Sequence, residues 1–269
     1  MNPAGVVQWP CAAIRQAIAP VLPGFTVEVL PEIDSTNAEL MRRVQTGRSD
    51  PVLLVAEHQS AGRGRLGRHW HGSHGACGPG TLTFSLGLAL APKDWSGLSL
   101  VVGLSLAQSL HPDILLKWPN DLWWRERKLA GILIETVTLT HGAGSRYVVV
   151  GVGLNIQRPE VAGLATEPAG LTELLPQLDA AQTLGRIAGP LVQAIQAFEQ
   201  HGFAPFQADF NARDALAQRA VSLSNGTRGV AHGVDGQGVL RVQSDAGWQR
   251  VMSAEVSVRP TPASGPAVF

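Results

Sequence analysis

Hydrophobic and polar positions along this chain fall into two periods. A two-residue alternation, or a short unbroken apolar run, marks strands over Thr26–Leu30, Pro51–Glu57, Thr81–Leu88, Ile114–Trp118 and Tyr147–Gly153. Leu122–Arg125 and Lys128–Thr136 read as the two arms of a hairpin. A helical period runs through residues 12–24 until Pro20 and Pro23 end it, from Thr36 to about Gln45, and over Ser96–Ser109, Leu184–Gln200 (with Pro190 near its first turn) and Phe203–Ala215. Thr36 and Glu39 have the spacing of a capping box. Residues 158–182, rich in Pro, Ala and Leu, predict irregular chain. From Arg219 onward short β segments alternate with turn signals at Asn225-Gly226, Asp235-Gly236 and Asp245-Ala246-Gly247. The pattern therefore predicts an α+β fold: a mixed central sheet with helices over residues 1–215, a small all-β domain, a barrel by its strand spacing, over 216–260, and a disordered tail at 261–269.

Composition narrows the function. Hydrophobic residues make up 45% of the 269 and charged residues 16%, as in a well-packed globular protein. The net charge is zero, against a general nucleic-acid binder. Cys11 and Cys77 form no C-x-x-C, so a reducing cytoplasm is expected. There is no signal-peptide pattern, and the longest uncharged apolar stretch, Trp95–Leu110, falls short of the roughly 20 residues that span a bilayer, so no membrane is expected.

The chemistry concentrates in four stretches. Glu57-His58-Gln59-Ser60-Ala61-Gly62-Arg63-Gly64-Arg65-Leu66-Gly67-Arg68-His69-Trp70 alternates glycine with arginine, and no carboxylate occurs between Glu57 and Asp94. Glycine admits close backbone approach, and arginine presents a fork matched to carboxylate and phosphate oxygens, so the loop suits anions. Gly62, Gly64 and Gly67 satisfy G-x-G-x-x-G, but Arg68-His69-Trp70-His71-Gly72 follows where a dinucleotide fingerprint needs a helix. Lys117-Trp118-Pro119-Asn120-Asp121 ends a strand in polar groups, and the hairpin returns Lys128 and Gly131 towards them. Only three of the 21 basic residues are lysines, Lys93, Lys117 and Lys128, and two of them lie here. In Gly151-Val152-Gly153-Leu154-Asn155 alternate glycines leave one strand face bare, as a flat ligand requires. Ser35, Thr36 and Asn37, taken alone, read equally as a helix cap. His69, His71, His74 and Cys77 have zinc-like spacing, but so many glycines preorganise little, and no metal site is expected.

Together these stretches, in order, resemble the biotin protein ligases. The resemblance rests on Asp34-Ser35-Thr36-Asn37, Gln59-Ser60-Ala61-Gly62-Arg63-Gly64-Arg65 with Gly67, Arg68 and Trp70, Lys117-Trp118-Pro119-Asn120-Asp121, Lys128-Leu129-Ala130-Gly131 and Gly151-Val152-Gly153-Leu154-Asn155, and covers about residues 30–259. It implies a catalytic domain like that of class II aminoacyl-tRNA synthetases with an SH3-like C-terminal domain. It implies a ligase that makes biotinyl-5′-AMP from biotin and ATP, with Mg2+, and passes biotin to a lysine of a biotin carboxyl carrier protein. By position, Ser35, Thr36, Asn37, Gln59, Gly62, Arg63, Arg65, Lys128, Gly131, Gly151 and Gly153 would bind biotin. Arg65, Arg68, Trp70, Lys117, Asn120, Lys128 and Asn155 would bind the nucleotide, and Lys128, Asp121 and Arg65 would be catalytic.

Some members carry a helix-turn-helix domain ahead of this part; only about 30 residues precede the first motif here, so no repressor activity and no nucleic-acid partner are expected. The stretch His71–Gly80 is longer and richer in glycine than the resemblance implies, and Gly62–Gly80 is expected to be mobile until it folds over ligands as a lid. Lipoate ligases and octanoyltransferases of related fold are the rival reading. An exposed edge of the central sheet offers a pairing surface for a homodimer, which no residue pattern decides.

Overall fold

The computed structural model describes residues 7–75, 78–139, 145–161, 163, 166–252 and 258–260. Cys77 and the tail 261–269, on which the zinc spacing and the disorder expectation fall, lie outside the described residues. The elements are α1 (Cys11–Ile18), β1 (Thr26–Ile33), α2 (Thr36–Gln45), β2 (Val52–Gln59), β3 (Thr81–Leu90), α3 (Leu98–Leu110), β4 (Leu115–Lys117), β5 (Asp121–Trp124), β6 (Arg127–Thr138), β7 (Arg146–Asn155), α4 (Ala180–His201) and α5 (Gln207–Ala212). After them come β8 (Ala220–Leu223), β9 (Arg228–Val234), β10 (Leu240–Ser244), β11 (Gly247–Val251) and β12 (Val258–Pro260).

Strands β1 to β7 form one seven-stranded sheet in the order β1-β2-β3-β7-β6-β5-β4, with β1 and β2 parallel and every other pair antiparallel. Strand alternation sorts side chains between its two faces. Leu53, Val55, Leu82, Phe84, Leu86, Val148, Val150 and Val152 enter a core with α1, α3 and α4. On the opposite face Val52, Leu54, Tyr147 and Val149 pack against Leu40 and Val44 of α2. Further along that second face bulk disappears: β7 continues from Tyr147 and Val149 into Gly151 and Gly153, while β3 presents Thr83, Ser85 and Gly87. One face of the same strands thus supplies both a helix-packing surface and a bare shelf.

Three helix expectations are corrected. The N-cap of α2 is Ser35, extended at φ −159°, whose hydroxyl accepts from Ala38 N at 3.4 Å. Glu39 does not close a capping box with Thr36; it pairs with Arg42 and Arg43, each at 2.9 Å, which leaves Thr36 free to face inward. Helix α4 begins at Ala180, earlier than its apolar period, because Asp179 and Gln182 cap it reciprocally at 2.7 and 3.1 Å. The helix expected over Phe203–Ala215 is a 3₁₀ turn at Ala204–Phe206 and the short α5. Asn211 spends its amide on Val234 of the small sheet, and the next residues run beside β4, with Leu116 N donating to Arg213 O at 2.8 Å and Ala215 N to Leu116 O at 2.9 Å.

Strands β8–β12 form a five-stranded antiparallel sheet in the order β11-β10-β9-β8-β12, in keeping with the expected SH3-like domain. Its inner residues Val221, Leu223, Ala231, Leu240 and Val242 join the main core. Trp118 Nε1 donates to Gly238 O at 3.1 Å across the junction. No helix among the described residues is long and apolar enough to cross a membrane.

Candidate active site

The bare shelf floors a cavity of ≈ 680 Å³ walled by the arginine loop, the β5–β6 hairpin, residues 166–168 and β12. The loop is a tight antiparallel turn. Trp70 N donates to Gly62 O at 2.9 Å, Gly64 N donates to Arg68 O at 2.7 Å, and Arg63 bridges His69. Its tip, Arg65–Gly67, is a 3₁₀ turn in which Leu66 and Gly67 take φ of 57° and 70°. No helix follows the glycines, which removes the dinucleotide reading. Gly62 does not reach the cavity: a Cβ there would strike the Trp70 carbonyl and come within 3.1 Å of Gln59 Nε2. Gly62, expected at the ligand, sits at the base of the loop, where its carbonyl accepts from Trp70 N. The other sixteen predicted site residues all line the cavity.

Trp70 lies on the shelf. A Cβ at Gly153 would fall on its indole ring, and one at Gly131 would approach both the ring and Lys128 Nζ at 3.2 Å. The Lys128 ammonium stands 5.7 Å from the ring centroid and 2.8 Å from Asp121 Oδ1. A bulge makes this possible. Leu122 pairs with Ala130 but Trp123 with Lys128, so Leu129 is the extra residue, and Lys128 is turned to the face of Gly131. Lys128 is then fixed along its backbone, donating to Glu167 O and accepting from Ala169 N, both at 2.8 Å. Asn155 Nδ2 donates to the same Lys128 carbonyl at 3.3 Å and to Ala169 O at 3.1 Å. Asn120 is held by Ile132 O at 2.9 Å and accepts from Arg65 Nη1 at 3.2 Å.

Charge is strongly one-sided. Arg63, Arg65, Arg68, Lys117, Arg125, Arg127, Lys128 and Arg259 line the cavity, against the carboxylates of Asp121, Glu126 and Glu167. A chain of zero net charge has gathered its positive potential in one place, which raises the local concentration of anions. Burial pulls the Lys117 ammonium below its usual range, and neighbouring Lys128, Arg68 and Arg259 add to the shift while Asp121 opposes it. Burial lowers Arg65 as well, again opposed by Asp121.

At the other end the cavity is polar without cations. Gln59 Oε1 accepts from Thr36 N at 2.8 Å and lies 3.0 Å from Thr36 Oγ1. Ser85 Oγ, fully buried behind them, lies 2.7 Å from Thr36 Oγ1 and 2.6 Å from Asn37 Oδ1. Asn37 Nδ2 donates to Glu135 Oε2 at 2.8 Å and to Leu133 O at 3.3 Å. The backbone donor at Thr36 fixes the Gln59 amide, and the acceptors at Glu135 and Leu133 fix that of Asn37. Three contacts then depend on hydroxyl protons and only two hydroxyls supply them, so the cluster is one donor short.

A sequence profile of the Biotin/lipoate A/B protein ligase family matches residues 29–155, and one of the biotin protein ligase C terminal domain matches residues 222–259. The biotin–[acetyl-CoA-carboxylase] ligase of Mycobacterium tuberculosis is 36% identical over 245 residues, covering 84% of this chain and 85% of that protein. This chain belongs to the biotin protein ligase family. The bifunctional ligase/repressor BirA of Escherichia coli is 35% identical over 249 residues, 88% of this chain and 75% of that protein. The structure of a biotin protein ligase from Aquifex aeolicus in complex with biotin and ATP superposes with a TM-score of 0.72 at 27% identity, over 87% of this chain and 99% of that one.

Sequence reasoning about this biotin protein ligase missed several wall residues. Arg259 comes from β12, far along the chain, and nothing local marks it. Arg125 and Glu126 form a two-residue hairpin turn with φ of 48° and 61°, and Glu126 is tied to Arg219 at 2.8 Å. Behind the wall, Ser85 and Glu135 had a readable signal: each is a polar residue in an apolar strand pattern.

Proposed function

We propose that this one cavity performs both steps of a biotin–[acetyl-CoA-carboxylase] ligase: activation of biotin by ATP to biotinyl-5′-AMP with release of pyrophosphate, then transfer of biotin to a lysine of a carrier protein. The observation that carries the site assignment is the division of the cavity into a polar end short of one donor and a cationic end around Lys128. Biotin matches both ends, with ureido N–H groups at one and a carboxylate at the other. Lipoate and octanoate carry a carboxylate but no N–H at the far end, so the donor shortage favours biotin over the rival acyl groups. Gly131 and Gly153 make room for the Trp70 ring and Gly151 for the Asn37 amide, and these two groups border the space for the bicycle between the ends.

Carboxylate and triphosphate repel each other in water, and Arg63, Arg65, Arg68 and Lys128 hold them together and stabilise charge developing at the α-phosphorus. Lys117, Asn120 and Asn155 border the nucleotide end with Trp70 and Arg68. Magnesium fits as part of the nucleotide: no group of three His, Cys, Asp or Glu that could hold a metal occurs among the described residues, so phosphate oxygens and water would supply most of its ligands.

Asp121 has a separate task. It pairs with Lys128 at 2.8 Å. When Lys128 turns to the acyl-phosphate oxygens, Asp121 is released to receive the carrier's ammonium. Asp121 would orient the nucleophile and offset charge: the ammonium gives its proton to water, and the neutral amine then attacks the acyl carbon and releases AMP. Isotope exchange between pyrophosphate and ATP tests the assignment: it should depend on added biotin and fail with lipoate. Exchange driven by lipoate would overturn it.

A further inference from the structure

We infer that Glu135 is a positioning residue that selects a ligand bearing an N–H donor, by fixing the proton order of the polar cluster at the cavity floor. The inference rests on the reading of that floor as the biotin ureido site.

Glu135 lies on β6 opposite Val149 of β7 and is half-buried. No ion pair to it occurs within 4 Å among the described residues; its hydrogen-bond partner is the Asn37 amide, at 2.8 Å. A carboxylate in that place does something an amide or hydroxyl does not: ionised, it only accepts. Asn37 must therefore present Nδ2 to Glu135 and Oδ1 to Ser85. Gly151 leaves the amide just enough room, since a Cβ there would coincide with Asn37 Oδ1.

The consequence runs through the cluster. Ser85 has one proton and gives it to Asn37 Oδ1, at 2.6 Å. The single Thr36 proton can then serve Gln59 Oε1, at 3.0 Å, or Ser85 Oγ, at 2.7 Å, but not both, so one of these contacts is left without a hydrogen. Two oxygens facing each other in a buried site at such a distance repel, and a donor from the ligand relieves them. Glu135 itself does not line the cavity; it acts through Asn37.

The wild-type chain and two variants separate this role from simple support. In Glu135→Gln the new amide can offer its N–H to Asn37, so that Asn37 turns over and gives Nδ2 to Ser85; the cluster then has its third proton and no longer asks the ligand for one. In Glu135→Leu the acceptor is lost, but Leu133 O still holds Asn37 the original way. Biotin binding without ATP is measured by calorimetry, beside two biotin analogues in which one or the other ureido N–H is replaced by oxygen. The wild type should reject one of these analogues by about tenfold or more. Glu135→Gln should reduce that preference by about tenfold, and Glu135→Leu should weaken both ligands while keeping the preference. The KM for ATP should move less than that for biotin in both variants. A ratio of affinities does not depend on the folded fraction of a preparation. A Glu135→Gln preference within twofold of wild type overturns the inference, as does a wild type indifferent to both analogues. Wild-type exchange driven by lipoate rather than biotin would instead remove the biotin reading beneath it.

Discussion

Replacing Asp121 by Asn should split the two half-reactions. The carboxylate is 14% exposed and the Lys128 ammonium 31%, at 2.8 Å. At an effective dielectric constant near 20 the bare attraction at that distance is about 6 kcal/mol. Desolvation of both groups and solvent screening of the half-open ammonium reduce the net coupling to about 1–2 kcal/mol, a factor of roughly 5–30. This coupling competes with anion binding, because the same ammonium must turn to the ligand. Asp121→Asn should therefore tighten pyrophosphate or a non-hydrolysable ATP analogue by roughly five- to thirtyfold, measured by calorimetry at low salt. The same variant should slow transfer to the carrier, since the incoming lysine loses its electrostatic partner. Single-turnover transfer from preformed biotinyl-adenylate reads this step alone. The deficit should shrink from neutral to alkaline pH as neutral lysine becomes available. Anion affinity unchanged or weakened would refute the competition between Asp121 and ligand for Lys128, and a transfer deficit constant with pH would refute the orienting role.

Arg65→Ala and Lys128→Ala should each slow biotinyl-adenylate formation by about ten- to a hundredfold with melting temperature little changed, since a charge-assisted hydrogen bond contributes about 1.5–3 kcal/mol; wild-type rates in both would remove them from the site. Gly151→Ala places a methyl on the Asn37 amide and should raise the KM for biotin far more than that for ATP, at a stability cost of about 1–3 kcal/mol by thermal melting. Asp214, buried beside β4, has its carboxyl pushed up to about 6 by burial, with Leu216 N the hydrogen bond that opposes the shift. A raised folded-state value makes its contribution to stability largest below pH 4 and lost as pH rises through 6. Asp214→Asn should accordingly match wild-type melting near pH 4 and exceed it at pH 7; equal melting temperatures at both would show that the buried carboxylate is solvated. Hydrogen exchange over Gly62–Gly80 should slow when biotinyl-adenylate binds, and unchanged protection would dispose of the lid.

The strands and most helices were legible because their apolar period is written locally; the start of α4 was misjudged because it is set by the local Asp179–Gln182 cap rather than by the apolar period, and one helix end because a side chain found a better partner across the fold. That side chain is Asn211: its amide serves Val234 of another sheet, and the helix predicted through it stops.

The motifs marked by themselves nearly all the residues that come to line the cavity, because an arginine–glycine loop, a lysine–carboxylate hairpin and alternate strand glycines are short-range patterns with few other uses. What they meant to one another was settled only by tertiary structure. A bulge at Leu129 turns Lys128 onto the glycine shelf beside Asp121. Gly62 lets the loop close against the Trp70 carbonyl. Arg259 reaches the cavity from the far end of the chain, and Ser85 and Glu135 join Asn37 through a floor assembled from three strands and a helix. Register turns on one extra residue in a short hairpin, and the proton order on contacts 48 and 98 positions apart, and an apolar–polar pattern holds no record of either.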